Sequence, residues 1–275
     1  MNRSWLVCAL WLCVVPSVTA QPAPIVVQGA MASETDRLVA RLDGVREEQV
    51  GSWRFWHGSI DGYPVIVSRT DKGTANAAAS TTLAIERFHP RAIVNQGTSG
   101  GHDPALKVYD IVIGLQAVNI GAFKTPHRAG GAGSDPTRWQ PRDLRITGSA
   151  GGANMPQQLA AFPADPGLLA SAQQVRGTYQ RGRVVDGIIG SSDMWIDEVD
   201  YVMHLHRSYG TSVEEMETAA AAQVAASLAV PFLGIRILSD NITNGGAYDP
   251  KTGEACEDFV YDVLRAHIAR LKAGR

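Results

Sequence analysis

Apolar positions fall into short clusters separated by glycine, proline and charge, and their spacing alternates between strand-like and helix-like along most of the chain. Ile25-Val26-Val27 is a compact apolar run closing at Gly29. Leu38, Val39 and Leu42 follow at helical spacing, which predicts strand, turn, helix. Ser52 to His57 and Tyr63 to Val67 flank Asp61-Gly62, a turn signal between two β-rich runs, so a hairpin is predicted there. Ala75 to Phe88 is alanine-rich, with Leu83, Ile85 and Phe88 apolar and Pro90 beyond, and reads as a helix. Ala92 to Asn95 and Asp110 to Ile113 read as strands on either side of a glycine-rich loop.

From Phe123 to about Pro163 the periodicity dissolves into Gly, Pro, Ser and Arg, which reads as a long loop or insertion. Pro166 to Arg176 then predicts a helix, Arg183 to Ile189 a strand, and Ile196 to Leu205 fits either state. Glu215 to Leu228 is an Ala-rich helix and Phe232 to Leu238 a buried strand. Glu254 to Lys272 is a terminal helix with Phe259, Val260, Val263, Leu264, Ile268 and Leu271 on one stripe. This alternation predicts a single α/β domain, with a central mixed, mostly parallel twisted sheet flanked by helices.

The first twenty residues stand apart from this pattern. Arg3 precedes an apolar run from Trp5 to Val15, and Ser17-Val18-Thr19-Ala20 ends in small residues, so residues 1–20 are expected to be a signal peptide cut after Ala20. The run is short of the roughly 20 residues that a spanning helix needs. The expected mature domain is 21–275, periplasmic or secreted, with no membrane attachment after cleavage. Cys8 and Cys13 leave with the signal. Cys256 alone remains, which excludes an intrachain disulfide and suits a small core residue.

The 275 residues carry a formal net charge of −2 with Lys and Arg scattered among Asp and Glu, which leaves no electrostatic footprint for nucleic acid. A small-molecule partner fits better. With neither a Cys cluster nor a His-x-x-x-His pair, no metal or other cofactor is expected; His204 and His206 read as surface or packing residues.

In open α/β sheets, ligands bind where strands end, so polar residues just after apolar runs are the candidates for chemistry. Four such places stand out: Gly29-Ala30-Met31-Ala32-Ser33-Glu34, Asn95-Gln96-Gly97-Thr98-Ser99-Gly100-Gly101, Val213-Glu214-Glu215-Met216-Glu217, and Arg236-Ile237-Leu238-Ser239-Asp240-Asn241. Each has a plainer account. Asp240 could form an Asx turn; Glu34 and the Glu214, Glu215 and Glu217 group could serve helix dipoles; Trp195 could be core. Gly97 to Gly101 lacks the Gly-Lys-Ser/Thr ending of a P-loop and the spacing of a dinucleotide fingerprint.

These segments, with Ser192-Asp193-Met194-Trp195-Ile196 between the second and third, resemble in order the nucleoside phosphorylase superfamily, and most closely its hydrolytic branch, the 5′-methylthioadenosine/S-adenosylhomocysteine nucleosidases. The resemblance implies hydrolysis of the N-glycosidic bond of an adenosine-like nucleoside, and a homodimer. By family position Asp240 is the acid on purine N7, with Ser239 orienting it, and Glu34 is the base that holds the attacking water. Glu217 would bind ribose with Met216 against the sugar, Thr98 and Gly100 would lie along the nucleoside, and Trp195 with Ile196 would replace the pair on which adenine stacks. Gly29 is expected to let the backbone approach the ligand.

No Arg accompanies Met31 to Glu34, where the phosphorylase branch places a phosphate-binding arginine, and this favours hydrolysis over phosphorolysis. Arg69 and Lys72 depart from the small-residue loop usual in the nucleosidases, and the segment Asn119 to Asn154 departs further. A phosphate-dependent phosphorylase and a non-catalytic exported purine-nucleoside-binding protein therefore stay open.

Overall fold

A computed structural model of the chain describes residues 21–144 and 158–274. The expected signal segment, with Cys8 and Cys13, and the part of the 119–154 departure beyond residue 144 lie outside the described residues.

In chain order the strands are β1 (Ile25–Gly29), β2 (Asp43–Val50), β3 (Trp53–Ile60), β4 (Tyr63–Arg69), β5 (Ala92–Gly101), β6 (Ile111–Asn119), β7 (Phe123–Lys124), β8 (Gln140–Pro141), β9 (Ala161–Pro163), β10 (Val184–Ser191), β11 (Thr211–Glu215) and β12 (Phe232–Asp240). The helices are α1 (Asp36–Val39), α2 (Thr74–Phe88), α3 (Pro166–Gln174), α4 (Val199–Tyr209), α5 (Thr218–Ser227) and α6 (Thr252–Ala273), with a 3-10 turn at Ala32–Glu34.

The central sheet runs β11-β10-β6-β12-β5-β1-β4-β3-β2. It is mixed in a particular way. Strands β4, β1, β5 and β12 are mutually parallel, as are β6, β10 and β11. The two blocks meet antiparallel twice, through β12–β6 and through β11–β5. The second contact closes β5, β12, β6, β10 and β11 into a ring, and that ring brings the ends of β5, β11 and β12 to one place.

Alternation along β1 explains the layers. Ile25 and Val27 face α6, where Phe259, Val260, Val263, Leu264 and Ile268 pack with Val65, Ile235 and Ile237. Val26 points the other way, into a cluster with Phe55, Ile66, Ile93 and the alanines of α2 and α5. Fully burying such side chains contributes about 1.5–3 kcal/mol each. The hairpin is present, and Asp61 and Gly62 both have positive φ, 49° and 72°, as a two-residue primed turn requires.

Several expectations need correction. The glycine-rich stretch 97–101 is not a loop: it continues β5, because it pairs with β12 on one side and β11 on the other. Glu215 ends a strand rather than starting a helix. Leu42 falls outside α1, which is a single short turn. Strand β2 was not foreseen, since its mostly exposed residues pair with β3 without an apolar face of their own. The ambiguous stretch from Ile196 resolves into a loop and then α4. Cys256 is buried in α6, where burial pushes its thiol up to about 12.

Candidate active site

Where β1, β5, β11 and β12 end, the chain encloses a cavity of about 140 Å³ lined by Met31, Glu34, Lys72, Thr98, Gly100, Met194, Trp195, Glu214, Glu215, Met216, Glu217, Ser239, Asp240 and Tyr248, among others. Eight of the nine site residues expected from sequence border this one space. The ninth, Ile196, does not: its side chain is buried with Tyr201, Val202 and Leu205, and only its backbone N–H turns inward, to Glu214 Oε1 at 3.2 Å.

Glu34 is held from two directions. Its Oε2 accepts from the Ala30 and Met31 backbone N–H groups at 2.9 and 3.2 Å, and its Oε1 from the Thr98 N–H and hydroxyl at 2.8 and 2.9 Å. The two residues between β1 and the 3-10 turn supply the first pair and β5 the second. Two glycines make the fit. A Cβ at Gly97 would stand 2.7 Å from Glu34 Oε1, and one at Gly29 would stand 2.7 Å from the Glu34 carbonyl oxygen. Gly29 therefore makes room for Glu34, not for ligand backbone contact as expected.

Asp240 terminates β12. Partial burial raises its carboxyl above the ordinary range, the Ser239 hydroxyl 2.8 Å from Oδ1 opposes that shift, and Asp197 adds to it. Its other oxygen lies 3.6 Å from the position a Cβ on Gly100 would take. Glu34 thus packs on Gly97 and Asp240 on Gly100, three residues further along β5, a rise of roughly 10 Å.

Glu217 sits between β11 and α5, buried, accepting from the Gly73 N–H at 2.9 Å. Burial and repulsion by Glu215 raise its carboxyl, against the pull of Arg236. Glu215 goes the opposite way. Burial alone would raise it, but Arg236 and the hydroxyl of Ser191 hold it below the usual range. The Arg236 guanidinium, 1 % exposed, bonds Glu215 Oε2 at 2.5 and 3.1 Å and Asn95 Oδ1 at 2.6 Å. Glu215 also accepts from the Glu217 and Thr218 N–H groups, so this ion pair fixes the turn that presents Met216 and Glu217.

Sequence reasoning missed Arg236, Glu214, Met194 and Tyr248. Arg236 is a polar residue inside an otherwise apolar run, and an arginine there has to be paired. Trp195 is 65 % exposed at the mouth, so it is not core, and its ring lies 6.4 Å from that of Tyr248. Arg69 turns away from the cavity, to Asp36 and Thr35 with its guanidinium over Trp56. Lys72 is then the one cation among the lining residues, against the carboxylates of Glu34, Glu214, Glu215, Glu217 and Asp240. His204 and His206 lie on α4, outside this cavity, where His206 Nδ1 is 2.8 Å from the Thr211 carbonyl oxygen.

The profile of the phosphorylase superfamily matches residues 24–273. The chain belongs to the phosphorylase superfamily. The 5′-methylthioadenosine/S-adenosylhomocysteine nucleosidase of Psychromonas ingrahamii is 33 % identical over 213 residues, covering 77 % of this chain and 83 % of its own. The superfamily fold recurs in the 5′-methylthioadenosine/S-adenosylhomocysteine nucleosidase of Colwellia psychrerythraea, solved with adenine, at 25 % identity and a TM-score of 0.68, covering 90 % of this chain and 96 % of that one. A putative methylthioadenosine nucleosidase of Weissella paramesenteroides superposes with a TM-score of 0.71 at 27 % identity, covering 91 % and 99 %.

Proposed function

We propose that this chain is a purine nucleosidase that hydrolyses the N-glycosidic bond of adenosine-like nucleosides. The similarity to the methylthioadenosine/adenosylhomocysteine nucleosidases supports the reaction class. The observation that carries the residue assignment is the placement of Glu34 and Asp240 on Gly97 and Gly100 of one strand, both facing one cavity.

In this reading the base enters beside Asp240 and Trp195, and the sugar lies toward Glu217 and Glu34. Asp240, its carboxyl raised by burial, gives its proton to purine N7 as the C1′–N9 electrons pass to the departing base. An oxocarbenium-like sugar remains. Water adds at C1′, and Glu34 takes the water's proton, so the products are free base and free pentose. All four acceptor positions of Glu34 are filled, three of them by fixed backbone N–H groups. Only the Thr98 hydroxyl can rotate, so it is the group that yields its place on Glu34 to the water and turns to hold that water.

Lys72 is the one cation among the lining residues, and the carboxylates of Glu34 and Glu214 face the same space, which favours water over a phosphate dianion. The test is release of free adenine from adenosine and methylthioadenosine, with inosine as comparison, in the presence and absence of phosphate. Turnover that requires phosphate assigns the chain to phosphorolysis instead, and tight nucleoside binding without release of base assigns it to storage or transport.

A further inference from the structure

Glu214 has no place in the chemistry above, yet it is a buried carboxylate that borders the cavity. It stands in strand β11, opposite Gly100 in the antiparallel register with β5, while Asp240 stands opposite the same Gly100 in the parallel register with β12. Because Gly100 has no side chain, both acids lean over it. Glu214 Oε1 and Asp240 Oδ2 each lie 3.6 Å from the point where its Cβ would be, so the two oxygens are within about 7 Å of each other, the scale of one edge of a purine.

Behind Glu214 is a histidine that nothing else explains. His102, fully buried, has Nδ1 2.8 Å from the Thr211 hydroxyl and Nε2 3.4 Å from Glu214 Oε2. The tautomer that satisfies both sides puts the hydrogen on Nε2, facing the carboxylate. Among the described residues that Nε2 and Glu214 Oε2 have no closer partner. Among the described residues Glu214 Oε1 holds only the Ile196 N–H, and a carboxylate oxygen has room for a second donor. Burying an acid with so few donors is costly unless something else satisfies it. The open lone pair is on the oxygen beside Gly100, where the cavity begins.

We propose that Glu214 is a specificity-determining residue that reads the base jointly with Asp240: it accepts one N–H of an exocyclic 6-amino group while Asp240 faces the N7 side. His102 is the positioning residue that keeps its carboxylate turned to the cavity. The inference rests on the purine end of the site proposed above. The pocket then discriminates for 6-aminopurines by an acceptor at Glu214 that a 6-oxo group, itself an acceptor, leaves unmatched and that an unsubstituted purine leaves empty.

Base binding tests this without any turnover. Affinities for adenine, hypoxanthine and unsubstituted purine are measured by calorimetry on the mature chain and on Glu214→Val and Glu214→Gln, with kcat/KM for adenosine and purine riboside alongside. The native chain is expected to prefer adenine to purine by about ten- to a hundredfold, the range of a hydrogen bond to a charged group. Glu214→Val is expected to lose most of that preference, and Glu214→Gln, which fills the same volume and keeps a carbonyl acceptor, to lose part. His102→Gln is expected to weaken the preference without abolishing base binding. An adenine-to-purine ratio unchanged in the folded Glu214→Gln chain, or a native preference for hypoxanthine, overturns the assignment. Absence of nucleoside cleavage with the adenine preference intact overturns the catalytic reading and leaves this one standing.

Discussion

Glu34 and Thr98 are joined twice, backbone N–H and side-chain hydroxyl of Thr98 both donating to Glu34 Oε1, at 2.8 and 2.9 Å. This pairing ties the turn after β1 to the middle of β5 and makes the position of the proposed base depend on backbone geometry. Replacing Thr98 by Val keeps the N–H and removes the rotatable donor. Activity on adenosine is expected to fall about tenfold to a hundredfold, mainly in kcat, with KM little changed. Steady-state kinetics of Thr98→Val against the native chain check this.

Gly97→Ala is expected to be more damaging to activity than its size suggests. The added methyl would stand 2.7 Å from Glu34 Oε1, inside contact distance, so the carboxylate must shift. A displacement on the order of 1 Å at a reacting group costs about a hundredfold. Comparing kcat with the thermal midpoint separates this from unfolding: a chain that melts like the native one yet turns over normally contradicts the close packing.

Asp240 acts as an acid in this reading, and its carboxyl is raised above the ordinary range by burial. Its proton is therefore present on the acid side and lost as pH rises through the raised value. The kcat profile is expected to fall toward alkaline pH with one ionisation. In Asp240→Asn that limb disappears together with about two to four orders of magnitude of rate. An alkaline limb that persists in Asp240→Asn points to another group.

Glu257 offers a stability test away from the cavity. Burial pushes its carboxyl up to about 8, while one oxygen accepts from the Leu38 N–H at 2.8 Å and the other has no hydrogen-bond partner among the described residues. The raised value means the folded chain holds this proton more tightly than the unfolded chain, so the stability it contributes is lost as pH rises through about 8. Glu257→Gln cannot lose that proton. Its thermal midpoint is expected to drop less than the native one between pH 6 and pH 9, by a few degrees, about 2–4 °C for each kcal/mol in a chain of this size.

Arg236→Met is expected to destabilise by about 3–5 kcal/mol, because it leaves the buried Glu215 carboxylate without its cation. The double change Arg236→Met with Glu215→Leu is expected to recover much of that stability without recovering activity, since the turn carrying Glu217 loses its anchor. Chemical denaturation of the single and the double variant, with a turnover assay of each, measures both effects.

Much was legible in the sequence because it is local. The alternation of Ile25, Val26 and Val27, the alanines from Thr74 to Phe88 and the stripe from Phe259 to Ile268 each follow from spacing alone, and with them come the layers of the fold. Polar residues placed at the ends of apolar runs marked Glu34, Thr98, Glu217, Ser239 and Asp240. What the chain could not reveal by itself depends on register between distant strands. That Gly97 to Gly101 is strand, that β11 returns to pair with β5, and that Gly100 therefore lies between Glu214 and Asp240 are facts about hydrogen bonds across more than a hundred residues. The same is true of Arg236 and Glu215. Each reads as an ordinary charge in sequence, and only their burial against each other turns them into the support of the site, because a charge removed from water must find its partner in three dimensions.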